Sequence, residues 1–231
     1  MPRLARAVAV GFAHHITQRG NNRQDVFFVD DDRQVYLELL KEQADKYVLE
    51  LVGYCLMGNH IHIVAIPHAE DSLAKGIGRT HFRYTQYINR FHKRSGHLWQ
   101  GRFYSCAMDE PHFWKAMKYV ELNPIRAKLC RKPWRYEWSS AAMHVDVKAK
   151  SDIVNLSRWY DKISAAQWRR ELADGLSDSE LGRLRLNTHT GRPLGSDSFL
   201  SKLETMIGRR VRPLPVGRPN KKRKKRMNSR G

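Results

Sequence analysis

Two histidines separated by a single residue are the first candidates for chemistry in this sequence. His60 and His62 lie in an apolar run at residues 60–66 that favours a β-strand. Because strand side chains alternate between faces, both imidazoles would share one face. Two imidazole nitrogens, completed by oxygen ligands and water, suit Mn²⁺ or Mg²⁺ bound to a phosphate oxygen. The spacing is short and common, and the alternative is an exposed polar face of an edge strand.

A tyrosine and an asparagine form a second candidate pair. Tyr119 and Asn123 are four residues apart near the end of a predicted helix, so their side chains would lie one turn apart on one face. A tyrosine hydroxyl can attack a phosphodiester, and an amide oxygen one turn away can complete a metal site. The alternative is a half-buried tyrosine packed on a sheet and an asparagine that ends the helix before Pro124.

Arginines and tyrosines are mixed along another predicted helix. Arg79, Arg83 and Arg90 predict a face that contacts DNA phosphates. Tyr84 and Tyr87 in the same stretch are rival nucleophiles, but their basic surroundings fit a DNA-contacting face better.

Two further segments favour contact with nucleic acid. Trp99 and Arg102 offer a ring for stacking on bases and a guanidinium for phosphate, unless Trp99 packs under the sheet. A Gly-Arg-Pro triplet near the end of the sequence resembles an AT-hook, whose flat core can enter a narrow minor groove. The cations of this segment are Arg218, Lys221, Lys222 and Arg223. A solubilising or nonspecific tail is the alternative.

Charge is the strongest compositional signal. The formal net charge of +19 and the pI near 10.2 indicate a polyanionic partner, with nucleic acid first. Residues 209–231 contain eleven Lys or Arg and no acidic residue, so +8 remains for residues 1–208. We expect this basic tail to be disordered when free, because it has too little apolar surface to bury.

Several classes of protein are disfavoured. Cys55, Cys106 and Cys130 are far apart and outside any C-x-x-C pattern, which argues against a disulfide framework or a zinc finger. The chain has no apolar run of the roughly 18 residues that a membrane span needs. It also begins without a signal-peptide pattern. We therefore expect a cytoplasmic, nucleoid-associated protein without a membrane partner.

The order of predicted elements indicates the fold. Strand, helix, strand, strand, helix, strand and helix follow one another through residue 140, which fits a ferredoxin-like α+β sandwich similar to an RRM. The predicted bounds are 12–18, 35–47, 49–57, 60–66, 72–92, 103–108 and a last helix that starts near 110 and ends near 122. Periodic apolar residues predict a helical C-terminal extension at 141–208, followed by the basic tail at 209–231.

Several motifs in one order resemble a known family, the single-tyrosine HUH transposases, and within it the REP-associated tyrosine transposases. The resemblance covers about residues 1–140 and rests on PRLAR at 2–6, YCLMGNHIH at 54–62, GHLWQGRF at 96–103, YVELNPIRA at 119–127 and WSS at 138–140. One departure is Gly58, where many of these enzymes have proline. The change should loosen the turn and leaves the ligand residues in place.

The resemblance implies roles for the candidate residues and a substrate. It implies an HUH nuclease sandwich in which His60 and His62 hold Mg²⁺ or Mn²⁺, Tyr119 is the nucleophile and Asn123 is a third ligand. The implied substrate is single-stranded DNA folded as a palindromic hairpin, cut through a 5′-phosphotyrosine link with no nucleotide cofactor. Such an enzyme would act as a monomer or a homodimer.

Two other functions remain compatible with the sequence. A non-catalytic DNA-binding regulator could keep the fold and the basic surface without cutting DNA. An RNA-binding module of the RRM type has a similar strand order, but the aromatic pattern of its RNA-binding strands is missing from the strands assigned here.

Overall fold

The elements before residue 140 alternate as the sequence predicts. The computed structural model describes residues 6–146 and 148–213. Its elements in this part are β1 (His14–Arg19), α1 (Asp30–Lys46), β2 (Leu49–Met57), β3 (His60–Pro67), α2 (Ser72–Phe91), β4 (Tyr104–Ala107), α3 (Glu110–Glu121) and the short α4 (Asn123–Arg126). The strands form one antiparallel sheet in the order β2-β3-β1-β4. The predicted α+β sandwich is confirmed.

Two element boundaries differ from prediction for local reasons. β1 begins at His14 rather than at residue 12, because the Phe12 N–H donates to the Ala9 carbonyl in a turn. α1 begins at Asp30 rather than at residue 35. The carboxylate of Asp32 accepts two backbone N–H groups just before the helix, at 2.7 and 3.0 Å, and so stabilises this earlier start.

The alternation of side chains separates the two faces of the sheet. Ile16, Ile61 and Ile63 are fully buried in the core that α1 and α2 cover. His15 and His62 lie on the opposite face, where their rings contact a side chain of α3. One face is thus an apolar core, and the other carries polar side chains at its centre.

The region after residue 140 is helical, as predicted. It contains α5 (Ala141–Val145), α6 (Leu156–Tyr160), α7 (Ala165–Asp174), α8 (Asp178–Thr190) and α9 (Asp197–Ile207). Trp168 of α7 and Leu184 of α8 are buried in the same apolar cluster as Met117 and Val120 of α3. The extension therefore packs on the sheet face that carries the histidines.

The segment after α8 is fastened to the edge strand β4. α8 ends at Gly191, whose φ of 69° is the left-handed conformation that favours glycine at a helix end. The Leu194 N–H then donates to the Ala107 carbonyl at 2.8 Å, and the Cys106 thiol donates to the Arg192 carbonyl at 3.0 Å. These bonds fix the end of α8 beside β4.

A buried carboxylate joins α3 to the extension. Glu121 has no exposed surface, and its Oε1 accepts from the Ser140 hydroxyl at 2.8 Å and from His144 Nδ1 at 2.5 Å. Its Oε2 accepts from Trp168 Nε1 at 2.8 Å. Because Glu121 is two residues beyond Tyr119, this network holds the end of the helix that carries the predicted nucleophile.

Three further predictions concern the basic tail, membrane spans and domain boundaries. Residues 214–231 lie outside the described residues, and the predicted AT-hook cations Arg218, Lys221, Lys222 and Arg223 lie there with most of the basic tail. Within residues 6–146 and 148–213, no helix combines the length and the apolar character that crossing a bilayer requires. The predicted domain boundaries at 140 and 208 stay a prediction.

Candidate active site

The structure brings Tyr119 to the predicted histidine pair. The ring centroids of Tyr119 and His62 are 5.3 Å apart with an interplanar angle of 89°, so the rings meet edge to face. The ring centroids of His60 and His62 are 5.1 Å apart. These contacts arise because α3 crosses the sheet face on which β3 places both histidines.

These three side chains open into one polar cavity of about 420 Å³. The cavity is lined by cationic side chains. Its lining arginines are Arg19, Arg23, Arg102 and Arg185. A concave site with several guanidinium groups and no lining carboxylate among the described residues is suited to an anion such as a DNA phosphate.

Hydrogen bonding determines which nitrogen of His60 is available. His60 Nδ1 lies 2.6 Å from the side-chain oxygen of Asn59, which can only accept. The amide of Asn59 is oriented by its Nδ2, which donates to the Arg23 carbonyl at 3.1 Å. The His60 proton is therefore on Nδ1, and Nε2 keeps the lone pair that a metal ion would bind.

Burial keeps both predicted ligands neutral. Desolvation lowers the pKa of His60 to about 4, with a further contribution from the positive charges of Arg19 and Arg126. The pKa of His62 is lowered well below its ordinary value by desolvation first, and then by the neighbouring histidines and the same two arginines. Neutral imidazoles at physiological pH are the form that binds metal ions.

Arg126, and Arg185 from the cavity lining, place cations near the Tyr119 ring. The guanidinium carbon of Arg126 lies 4.3 Å from the ring centroid, and that of Arg185 lies 5.9 Å away. Arg126 also donates to the backbone carbonyl of Tyr119 at 2.6 Å, which fixes its position. Positive charge at this place would stabilise negative charge that develops on the phenol oxygen or on an attacked phosphate.

The structure does not bring the Asn123 amide into the cavity. Its Nδ2 donates to the backbone carbonyls of Tyr119 at 3.1 Å and Val120 at 3.4 Å. Asn123 is absent from the described residues that line the cavity. Its role as a third ligand, through the amide oxygen, stays a prediction.

Two histidines alone do not complete the coordination of a metal ion at this site. In the described part of the chain, no three His, Cys, Asp or Glu side chains are grouped so that they could hold one. His60 and His62 supply two neutral nitrogen donors beside an open polar cavity. They fit a cation whose other ligands are water and phosphate oxygens, as Mg²⁺ and Mn²⁺ prefer.

The basic helix α2 lies on the other side of the sheet. Arg79, Arg83 and Arg90 are exposed there, and Arg83 forms an ion pair with Glu42. The rival nucleophiles are both engaged. Tyr84 is buried and donates to the Val26 carbonyl at 2.7 Å, and Tyr87 donates to Asp32 at 3.2 Å. Burial raises the pKa of both phenols, which makes them poorer nucleophiles than their sequence context alone suggests.

Trp99 and Arg102 are separated by the fold. Only 9% of the Trp99 surface is exposed, and its ring stacks on His81 with centroids 4.6 Å apart. The alternative reading, in which Trp99 packs under the sheet, is therefore the one the structure shows. Arg102 is exposed and lines the cavity.

Sequence reasoning missed several side chains around the site, among them His15, Arg126, Arg185 and Thr188. Strand alternation places His15 and Thr17 on one face of β1, as it places His60 and His62 on one face of β3. The alternation along β1 could therefore have identified His15 from the sequence. Arg126 lies in the motif that contains Tyr119. Arg185 and Thr188 come from the extension, and no local pattern marks them.

Comparisons with known proteins relate this chain to transposases. Residues 9–123 match the model of a family described as "Transposase IS200 like". A Haemophilus influenzae protein named "Putative REP-associated tyrosine transposase" is 25% identical over 136 residues, which cover 53% of this chain and 73% of that protein. A solved REP-associated tyrosine transposase bound to a REP hairpin superposes with a TM-score of 0.56 at 14% identity, covering 67% of this chain and 92% of its own. At that identity the superposition supports the fold.

Proposed function

Because this chain belongs to the IS200-like transposase family, we propose that it cuts and rejoins single-stranded DNA with Tyr119 as the nucleophile. The observation that carries the proposal is the position of the Tyr119 ring, 5.3 Å from that of His62. Both side chains line a cavity rich in arginine. A phosphate held there would meet a hydroxyl nucleophile, two imidazoles and several cations together.

The proposed reaction exchanges one phosphodiester for another. The Tyr119 oxygen forms a bond to phosphorus, the bond from phosphorus to the 3′ oxygen breaks, and the phenol proton ends on that 3′ oxygen. The products are a 5′-phosphotyrosine and a free 3′-hydroxyl. A 3′-hydroxyl from the same or another strand can reverse the step, so no nucleotide cofactor is needed.

His60 and His62 would hold the divalent cation. When bound, Mg²⁺ or Mn²⁺ would polarise the phosphate and stabilise charge on its oxygens. Arg102 and Arg185 line the same cavity and would orient the phosphate, while Arg126 stabilises charge near the phenol.

The proposed substrate is a palindromic DNA hairpin. The superposed relative was solved with a REP hairpin, and this chain has the charge for such a partner. We propose that the cleaved single strand enters the arginine-lined cavity and that the exposed arginines of α2 contact the phosphates of the hairpin stem. The proposed strand cleavage and rejoining would take place in the cytoplasm, at the nucleoid.

Covalent capture on a denaturing gel tests the proposal. A hairpin oligonucleotide labelled at its 3′ end is incubated with the protein and Mn²⁺ or Mg²⁺, and a labelled protein band is expected. Tyr119→Phe should lose the band. Tyr104→Phe is the matched control, because Tyr104 is another tyrosine that lines the cavity.

Each other outcome has a distinct meaning. A band that persists in Tyr119→Phe would move the nucleophile elsewhere. A band absent from wild type and variants, with hairpin binding intact, would favour the non-catalytic regulator. A band that forms equally in excess EDTA would contradict the role of the cation.

A further inference from the structure

A buried chain of three side chains reaches the ligand pair from the extension. His15 Nε2 lies 2.9 Å from His62 Nδ1, and His15 Nδ1 lies 2.8 Å from the Thr188 hydroxyl. His15 is 1% exposed, Thr188 3% and His62 5%. Both nitrogens of His15 are thus engaged, one by a predicted ligand on β3 and the other by a hydroxyl on α8.

The hydrogen bonds couple the proton positions of the two rings. A neutral imidazole carries one proton, so each ring has one donor and one acceptor nitrogen. If Thr188 accepts from His15 Nδ1, then His15 Nε2 accepts from His62 Nδ1, and His62 Nε2 keeps its lone pair. In the reverse order His62 Nε2 carries the proton and cannot bind a cation.

The surroundings of His62 favour the arrangement in which Thr188 accepts from His15 and His62 Nε2 keeps its lone pair. His62 Nδ1 faces the buried His15, so Nε2 is the nitrogen left on the side of the cavity that His62 lines. Arg19, which lines the same cavity, places positive charge near this ring. The dipole of a neutral imidazole is best oriented with its lone pair toward positive charge and its N–H away from it.

We propose that His15 and Thr188 are positioning residues that hold His62 in the Nδ1–H tautomer and thereby present its Nε2 to a cation. The inference rests on the proposed function, because it takes His62 as a ligand. It makes the extension part of the site, although the family match ends at residue 123. The bonds of Leu194 and Arg192 to β4 keep Thr188 in place.

Nuclear magnetic resonance on the metal-free protein reads the tautomer directly. Long-range ¹H–¹⁵N spectra of the wild type should show His62 with a protonated Nδ1 and an unprotonated Nε2. Thr188→Val removes the hydroxyl and keeps the side-chain shape, so His62 should become a mixture of tautomers. Thr188→Ser keeps the hydroxyl and should give the wild-type spectrum.

Affinity for Mn²⁺ provides the second readout. Titration followed by electron paramagnetic resonance should show a loss of about 10-fold for Thr188→Val and up to about 100-fold for His15→Phe, the range seen when partners of metal-ligating histidines are removed. Thr188→Ser should match the wild type. If His15→Phe fails to fold, the two Thr188 variants still decide the question.

The outcomes separate this inference from the proposed function. A protonated Nε2 on His62 in the wild type, or a Thr188→Val variant with unchanged tautomer and Mn²⁺ affinity, would overturn the positioning role even if the Tyr119 adduct forms. The predicted spectra and affinities without any adduct would support the positioning role and remove the proposed cleavage.

Discussion

The carboxylate of Glu121 should be worth several kilocalories per mole to the fold around Tyr119. Glu121→Ala leaves three fully buried donors without their acceptor, from Ser140, His144 and Trp168. Breaking a buried pair costs about 3–5 kcal/mol, and each orphaned donor costs about 1–3 kcal/mol. These costs overlap, so we expect the free energy of unfolding to fall by about 4 kcal/mol.

Urea denaturation followed by tryptophan fluorescence measures this loss. With an m value of about 2 kcal/mol per molar, the midpoint should fall by about 2 M. Glu171→Ala is the matched control on α7, because Glu171 forms a half-exposed ion pair with Lys118. It should cost at most about 1 kcal/mol. A Glu121→Ala variant no less stable than this control would refute the network's role in holding α3.

Three other predictions follow from the site and its surface. The free energy of unfolding should fall as pH drops from 6.5 toward 4, because burial lowers the pKa of His60 to about 4 and that of His81 to about 3, so the unfolded chain binds protons first. Urea denaturation at a series of pH values measures this fall. A free energy of unfolding that stays constant over this range would contradict the prediction. Arg185→Met should slow adduct formation by about 10²-fold in single-turnover assays, the loss expected for one charge-stabilising donor. Arg183→Met, at an exposed position of the same helix, is the control and should not slow it. Equal rates for the two variants would rule out charge stabilisation by Arg185. Replacing the three exposed arginines of α2 with glutamine should make the dependence of log binding constant on log salt concentration shallower by about 0.9 for each lost phosphate contact. Binding isotherms for the hairpin at several salt concentrations measure this slope. An unchanged slope would place the hairpin stem elsewhere on the protein.

The sandwich, the shared face of His60 and His62 and the bounds of α3 could be predicted from the sequence, because each depends on local patterns. β-strand alternation puts His60 and His62 on one face, and a helix start with proline followed by a second proline bounds α3. The meeting of Tyr119 with the histidines needed one further fact. α3 had to cross the face of the sheet that β3 makes polar, and here the family resemblance supplied the expectation.

The rest of the site could not be predicted because its contacts join distant parts of the chain. Thr188 is 173 positions from His15, and α8 reaches the sheet through the bonds along β4 and the burial of Leu184 against α3. Trp99 was ambiguous for a different reason, since an indole ring serves equally well as a stacking platform or as core. Asn123 shows the limit of helical spacing, because its amide lies one turn from Tyr119 and still bonds back to the helix.

Mass spectrometry of the trapped complex tests the central claim most directly. After reaction with the hairpin and digestion with nuclease and trypsin, the peptide 119–126 contains a single tyrosine. We predict that this peptide carries the mass of a nucleotide 5′-phosphate, localised to Tyr119 by fragmentation. The same added mass on any other peptide, with 119–126 recovered unmodified, would contradict the account.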